Sequence, residues 1–411
     1  MRNICMISQS PYPFDPRVRR QAEKLASAGF EVDILCLPLE DEPETEKFGE
    51  RITAYRVLKK NTGQESIKKY LWVSATFFIS GFLKLQKLNR IRKYRLIQIH
   101  NMPEVHVFTT VLQKMKGIPV LLDIHDLTPE LLTSKWNNLF SRVVKPLTIF
   151  FEKISCRFSD HIITVTEGCK EILANRSTTA DKITLILNTA NTSTFPLFKE
   201  RIFKNISKHA KLLYHGTVAE RFGLHIIIDA MPLVLQRIPD SVLHVYGKYD
   251  ADYKLFLEQK ISELKLENNV FLEGARTHEE LYEIMKDSDI EVVPYLNNEY
   301  MNLSLSTKVF ECAASGLPII ATRLKTLGET FDNKAVKYVN DGDPVDFSDK
   351  IVEMCSNPSE REQMVLNAYN ASTRISGDVM EERYLNLVEK MTGLLRIKPE
   401  VIAVENMSIN G

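Results

Sequence analysis

An α/β fold of two doubly wound parallel sheets facing a cleft is the class this sequence predicts, and three observations predict it. Strand-like apolar runs alternate with amphipathic helical stretches along the whole chain, the pattern of parallel sheets covered by helices. Its 411 residues exceed what one hydrophobic core usually fills, which argues for two domains. The alternation breaks once, at the polar and basic stretch "NTSTFPLFKERIFKNISKHA" of residues 191–210, and restarts at "KLLYHGT". The expected organisation is a first domain over 1–195, a linker over 196–210, a second domain over 211–375, a helix over 376–395 placed to pack back toward the first domain, and a tail over 396–411. The tail, "KPEVIAVENMSING", lacks a core pattern.

In the first half, residues 3–7, 31–37, 51–57, 96–100, 119–124, 161–165 and 183–187 read as strands. The second series runs through "KLLYHGT", "VLHVYGK", "NVFLEG", "IEVVPY" and "LPIIAT". In the first helix Asp15 is the natural N-cap and Pro16 takes the first helical position. Val18, Ala22 and Leu25 repeat at helical spacing until Gly29 ends the run. Arg17, Arg19 and Arg20 crowd its first turn, where cations oppose the helix dipole, so either an anionic partner sits in the cleft or the cluster is a solvated face.

The most apolar window, "YLWVSATFFISGFLKL" over residues 70–85, falls short of the roughly 20 residues that span a bilayer. Lys68, Lys69, Lys84 and Lys87 flank it, which suits a helix lying on an anionic membrane surface; packing on its own domain is the competing reading.

Composition removes other classes. Lys+Arg and Asp+Glu both count 53, so the overall positive field of a charge-driven nucleic-acid binder is absent. The six cysteines form no CxxC pair and read as reduced core residues of a cytosolic protein, with no zinc site implied. The N-terminal "MRNICMISQSPYP" is expected to be a first strand rather than a secretory signal.

Ligands of open α/β sheets sit beyond the carboxyl ends of the strands. Attention therefore falls on His100, Asn101, Asp123, His125, Asp126 and Glu130 in the first half, and on Gly216, Thr217, Arg221, Gly247, Lys248 and Pro294 in the second. Asp126 is also a natural cap for the helix after it. Neither glycine turn is a GxGxxG and no GxxxxGK[ST] occurs, which argues against a tandem-Rossmann dehydrogenase. The stretch "NLSLSTKVFECAASGLPIIAT" places Lys308 and Glu311 one turn apart in an otherwise apolar helix. Ser304 or Ser306 is its cap, and a phosphate would be welcome at the free amides near Ser306 and Thr307. The bland alternative is a surface salt bridge between Lys308 and Glu311.

Six stretches in order, "DPRVRRQAEKLASAGFEV", "IHNMPEVHVF", "LLDIHDLTPELL", "DHIITVTEGCK", "YHGTVAERFGL" and "STKVFECAASGLPIIAT", give the chain its resemblance to the retaining glycosyltransferases of family 4, which have the GT-B fold of two Rossmann-like domains. The resemblance implies an N-terminal acceptor domain and a C-terminal domain that binds a nucleotide-diphosphate sugar. It implies transfer without a metal or other cofactor to a glycan or lipid-linked acceptor, in bacterial surface polysaccharide synthesis. DxD triplets at Asp250, Asp287 and Asp341 are unrelated to one another and do not favour the metal-dependent class.

By the same resemblance His125, Asp126, Arg221 and Lys308 are the expected catalytic group. Gly216, Thr217, Gly247, Lys248, Pro294, Ser306, Thr307 and Glu311 would bind the donor, and Arg17, His100, Asn101 and Glu130 the acceptor. Glu311 matches the family's second glutamate; the first falls at Leu303 and is missing, and only Arg221 stands where the family's diphosphate-clamping Arg and Lys lie. A non-catalytic relative that binds nucleotide sugar or glycan as an assembly partner is the alternative. Location is expected to be cytoplasmic, with peripheral contact at the inner membrane face.

Overall fold

The structure, a computed structural model, describes residues 2–39, 42–59, 67–135, 139–190, 194–198 and 201–396. Residues 191–193, 199 and 200 of the linker stretch and 397–411 of the tail lie outside the described residues.

The first domain opens with β1 (Asn3–Pro11), α1 (Pro16–Ser27), β2 (Glu31–Leu37), β3 (Thr45–Phe48) and β4 (Ile52–Arg56). There follow α2 (Ile67–Arg92), β5 (Leu96–His100), a 3-10 helix over Glu104–Thr110, α3 (Val111–Lys114), β6 (Val120–Ile124) and α4 (Thr128–Lys135). It closes with α5 (Leu139–Phe158), β7 (His161–Thr164), α6 (Glu167–Arg176) and β8 (Ile183–Leu185). The sheet order is β3-β4-β2-β1-β5-β6-β7-β8, all parallel except β3. That edge strand, "TEKF", carries charge and lacks an apolar run, which is how edges are kept from pairing further.

The second domain contains β9 (Lys211–His215), α7 (Leu224–Arg237), β10 (Val242–Tyr246), α8 (Ala251–Glu263), β11 (Val270–Glu273), α9 (His278–Asp287) and β12 (Ile290–Val293). Next come α10 (Thr307–Ser315), β13 (Ile319–Thr322), α11 (Lys325–Thr330), β14 (Lys337–Val339), α12 (Pro344–Ser356) and α13 (Pro358–Arg374). Its parallel sheet runs β11-β10-β9-β12-β13-β14. The last helix, α14 (Gly377–Thr392), leaves this domain and lies on the first.

Side chains explain the layers. In β1, Ile4, Cys5, Met6 and Ile7 are all buried, because helices cover both sides of a parallel sheet. One side packs on α2, the 3-10 helix, α5 and α6 through Val73, Phe77, Val107, Cys156 and Leu173. The other packs on α1 and α14 through Val18, Leu25, Tyr384 and Val388, and that layer is continuous with the core of the second domain. At the start of α1, Asp15 caps the amide of Arg17 as its sequence implies.

A buried polar chain fixes α14 to the first sheet. Tyr384 Oη donates to Gln98 Oε1 at 2.5 Å, Gln98 Nε2 to Gln21 Oε1 at 2.5 Å, and Gln21 Nε2 to Asp123 Oδ2 at 3.1 Å. Lys24 adds an ion pair to Glu381 at 3.1 Å. The two places where the chain passes between domains touch, since Gly377 N donates to Ala190 O at 3.1 Å.

Candidate functional site

Parallel registers bring the strand ends to one edge of each sheet. Ser8 pairs with His100 and His100 with Asp123, so the loops after β1, β5 and β6 converge. In the second sheet His215 pairs with Tyr246, so the loops after β9 and β10 converge, and they bridge at Val218 and Tyr249. Between the two edges lies a cleft lined by Arg17, His125, Asp126, Leu303, Ser304 and Leu305 among others.

Lys308 is only 5% exposed, and its Nζ has no hydrogen-bond partner among the described residues. It sits 3.6 Å from the centre of the Tyr214 ring and 5.2 Å from that of Tyr295, an aromatic seat that stabilises a cation through the ring quadrupoles. Burial pushes its pKa down to about 8 against the pull of Glu291 and Glu311. Gly216, at φ +106°, makes room for it: a Cβ there would stand 3.2 Å from Lys308 Cε. Gly247 answers to the fold itself, because a Cβ would lie 1.7 Å from the carbonyl oxygen of Gly216.

Glu311 does not pair with Lys308. Its Oε2 lies 2.8 Å from His215 Nε2, while His215 Nδ1 is 3.0 Å from Oε1 of the fully buried Glu291. Burial opposes charge on His215, but a carboxylate at each nitrogen outweighs it and lifts its pKa to about 9. For Glu311 burial raises the pKa, and His215 more than reverses this, so the carboxylate stays ionised. His215, Glu291 and Cys312 also come within 4.8 Å of one another, but a protonated imidazole offers no lone pair to a metal ion. Glu291, His215, Glu311 and Lys308 together form a buried charge cluster.

Arg221 stacks over Phe222 at 4.6 Å, and its Nε is buried without a hydrogen-bond partner among the described residues. Phe222 in turn packs on Tyr295 with ring centres 5.0 Å apart, which brings this turn beside the Lys308 seat. Ser306 is the N-cap residue of α10, yet its hydroxyl bonds Tyr295 Oη at 2.9 Å instead of a helix amide. Thr307 opens the helix. Thr217 and Lys248 are exposed at the mouth, and Pro294 is buried beneath Gly223.

Across the cleft, His125 is 8% exposed with Nδ1 unpartnered, and burial, with Arg17 nearby, lowers its pKa to about 4. It is therefore held in its neutral form at pH 7, able to donate or accept a hydrogen bond. Asp126 Oδ1 accepts from Tyr300 Oη at 2.9 Å, reaching the opposite domain. Arg17 lines the cleft with its guanidinium on Asp15 at 3.2 Å.

Other expectations are redirected. Arg19 pairs with Glu23 in solvent, and Arg20 donates to Thr189 O and Asn188 Oδ1, so neither joins an anion site in the cleft. His100 is buried on Asp123 at 3.1 Å. Asn101 is used in holding the β6 end, accepting from His125 N at 3.2 Å and donating to Asp126 O at 2.6 Å. Glu130 turns both oxygens to Arg176, at 2.7 and 3.0 Å, so its carboxylate serves an ion pair within the first domain. Leu303 packs over Gly168, where a Cβ would lie 2.9 Å away.

Sequence reasoning missed His215, Glu291 and Tyr300. A histidine before the strand-end glycine and a glutamate inside "IEVVPY" were the available signal, since a charged residue in a central strand needs a partner.

Known proteins share this architecture. Residues 17–194 match the family described as Glycosyltransferase Family 4, and residues 209–357 match that described as Glycosyl transferases group 1. The chain is 22% identical over 405 residues, 91% of its length and 84% of the relative's, to chitobiosyldiphosphodolichol beta-mannosyltransferase of Debaryomyces hansenii. Among solved structures, sucrose-phosphate synthase from Thermosynechococcus elongatus superposes with a TM-score of 0.77 at 16% identity, covering 96% of this chain and 100% of that one. Anabaena HepE, solved in complex with UDP and glucose, gives 0.68 at 15% identity, with 96% and 100% covered.

Proposed function

The chain belongs to the family 4 type of glycosyltransferases with the GT-B fold, and from that premise we propose that it moves a sugar, with retention of anomeric configuration, from a nucleotide-diphosphate sugar to a glycan or lipid-linked acceptor of a bacterial surface polysaccharide. The observation that carries the donor half is a pair of buried cationic atoms without hydrogen-bond partners among the described residues, Lys308 Nζ from the first turn of α10 and Arg221 Nε from the turn after β9. Such groups are costly to bury unless a ligand completes them. A diphosphate does so, and the structure of HepE with UDP supports that reading by analogy.

As the glycosidic bond breaks, negative charge accumulates on the leaving diphosphate. Lys308, Arg221 and the free amides of α10 are aimed to stabilise it, which is why we read the chemistry as metal-independent. Glu311, ionised and oriented by His215, is suited to accept hydrogen bonds from the ribose hydroxyls. His125, neutral, would hold a hydroxyl of the transferred sugar while Arg17 and Asp126 border the acceptor. The six free, buried cysteines support a reducing, cytoplasmic setting.

Leu303 favours a second reading, a non-catalytic binder, since it puts an apolar side chain where the family has a sugar-binding carboxylate. Two measurements decide. The wild-type melting temperature is expected to rise with one of UDP, GDP, ADP or CMP and their sugars, and Glu311→Ala to lose that rise. No shift with any of them would sink the donor site, and a shift without transfer would favour the binder. With the donor identified, the anomeric proton coupling in the NMR spectrum of the product is expected to match that of the donor; an inverted coupling would refute retention.

A further inference from the structure

The helices α2, α3 and α5 and the 3-10 helix between them cover one side of the first sheet, as their shared core with Val107 and Cys156 shows, so their outer sides look the same way. On α2, Trp72, Ile79 and Leu83 recur at helical spacing and are 72%, 61% and 61% exposed. Met115 after α3 and Leu147 and Phe150 on α5 extend this apolar face, all more than half exposed. No helix among the described residues is long and apolar enough to cross a membrane.

The charges around the face are one-sided, in a chain whose formal net charge is +0. The helices α2 and α3 contain no Asp or Glu, and the one acid of α5, Glu152, is fully buried against Arg176. Among the described residues, acids from other elements pair at its margin: Glu44 with Lys84 at 2.8 Å, Asp160 with Lys114 at 2.6 Å, Glu299 with Lys145 at 3.5 Å, and Asp33 with Arg92 at 3.1 Å. Lys87, Arg90 and Lys153 form no ion pair among the described residues.

We infer that this three-helix face docks on the surface of an anionic lipid bilayer, apolar side chains entering the headgroup boundary and the basic rim meeting lipid phosphates. A second copy of the chain is the poorer occupant, because a two-fold contact would set one basic rim against another. The face adjoins the cleft: Glu299, which Lys145 contacts, precedes Tyr300, whose hydroxyl holds Asp126. Docking would therefore present the cleft rim to the bilayer; its use for a lipid-linked acceptor, though not the docking itself, rests on the function proposed above.

The test is flotation of the full chain, without donor, on vesicles of phosphatidylcholine mixed with phosphatidylglycerol and on vesicles of phosphatidylcholine alone. Binding is expected to the mixed vesicles only and to weaken as salt is raised. Partition is expected to fall about fivefold for each basic residue lost in the Lys87→Gln and Arg90→Gln variants. Ile79→Asp with Leu83→Asp is expected to abolish it at an unchanged melting temperature, which separates lost docking from lost folding. Failure to float on mixed vesicles, equal binding to phosphatidylcholine alone, or a solution dimer dispersed by Leu83→Asp would each overturn the inference. A melting shift with UDP is read independently, so failure of docking and failure of the donor site stay distinguishable.

Discussion

Lys308→Met is expected to lower kcat/KM by about 10²–10³-fold while raising the melting temperature. The loss follows because the ammonium is the buried cation beside the proposed diphosphate, and methionine keeps its volume without its charge. The gain follows from linkage. The pKa of Lys308 in the folded chain is about 8, below the ordinary 10.5, so the unfolded chain holds the extra proton between those values. This group therefore weakens the native state most below pH 8, and stability recovers as pH rises from 8 toward 10.5. The variant's thermal advantage, on the order of 1–3 kcal/mol at pH 7, should fade over that window. In the wild type, kcat/KM should fall above about pH 8, because it reports the free enzyme. Turnover within a few-fold of wild type would remove Lys308 from the chemistry.

His215→Ala should produce the largest loss of stability, about 3–5 kcal/mol, because it leaves the carboxylates of Glu291 and Glu311 buried without the imidazolium between them. The sign with pH is opposite to that of Lys308. With its pKa raised from 6.5 to about 9, His215 contributes stability that is complete below pH 6.5 and is lost as pH rises through 9. Urea midpoints of the wild type should therefore fall between pH 6.5 and 9, Lys308 opposing the trend in its upper part. His215→Gln should flatten this slope; a slope unchanged in that variant would show that the imidazole is not the titrating group.

The sheets were legible in the sequence because parallel strands buried on both sides are continuous apolar runs. The first series of strands appears where residues such as Ile4 to Ile7 and Leu121 to Ile124 demand burial. What escaped was polar or short. The edge strand β3 carries charge, and β14, "KYV", is too brief to show periodicity. The site was legible in part: Lys308 and Glu311 stood out as charges in an apolar helix, but their partners lay elsewhere in sequence. Helical spacing offered a pairing of the two only as an alternative and said nothing of other partners, whereas the β9–β12 register delivers His215 and Glu291 to Glu311. Residues at strand ends were also harder to sort by role, since Asn101 and Glu130 have the composition of ligand-binding groups and also bond within the framework.

The contact of Gly377 with Ala190 has a mechanical consequence. Gly377 and Ala190 stand at the two crossings between domains, so their hydrogen bond makes that point the natural axis for any relative rotation of the two domains, as the covers of a book turn on a spine. The moving bodies are then not the two halves of the sequence, for α14, bound through Tyr384 and Glu381, swings with the first domain. Away from the spine, the hydrogen bond from Tyr300 to Asp126 and the seat of Leu303 over Gly168 act as a latch. Any opening of the cleft would have to break that latch first.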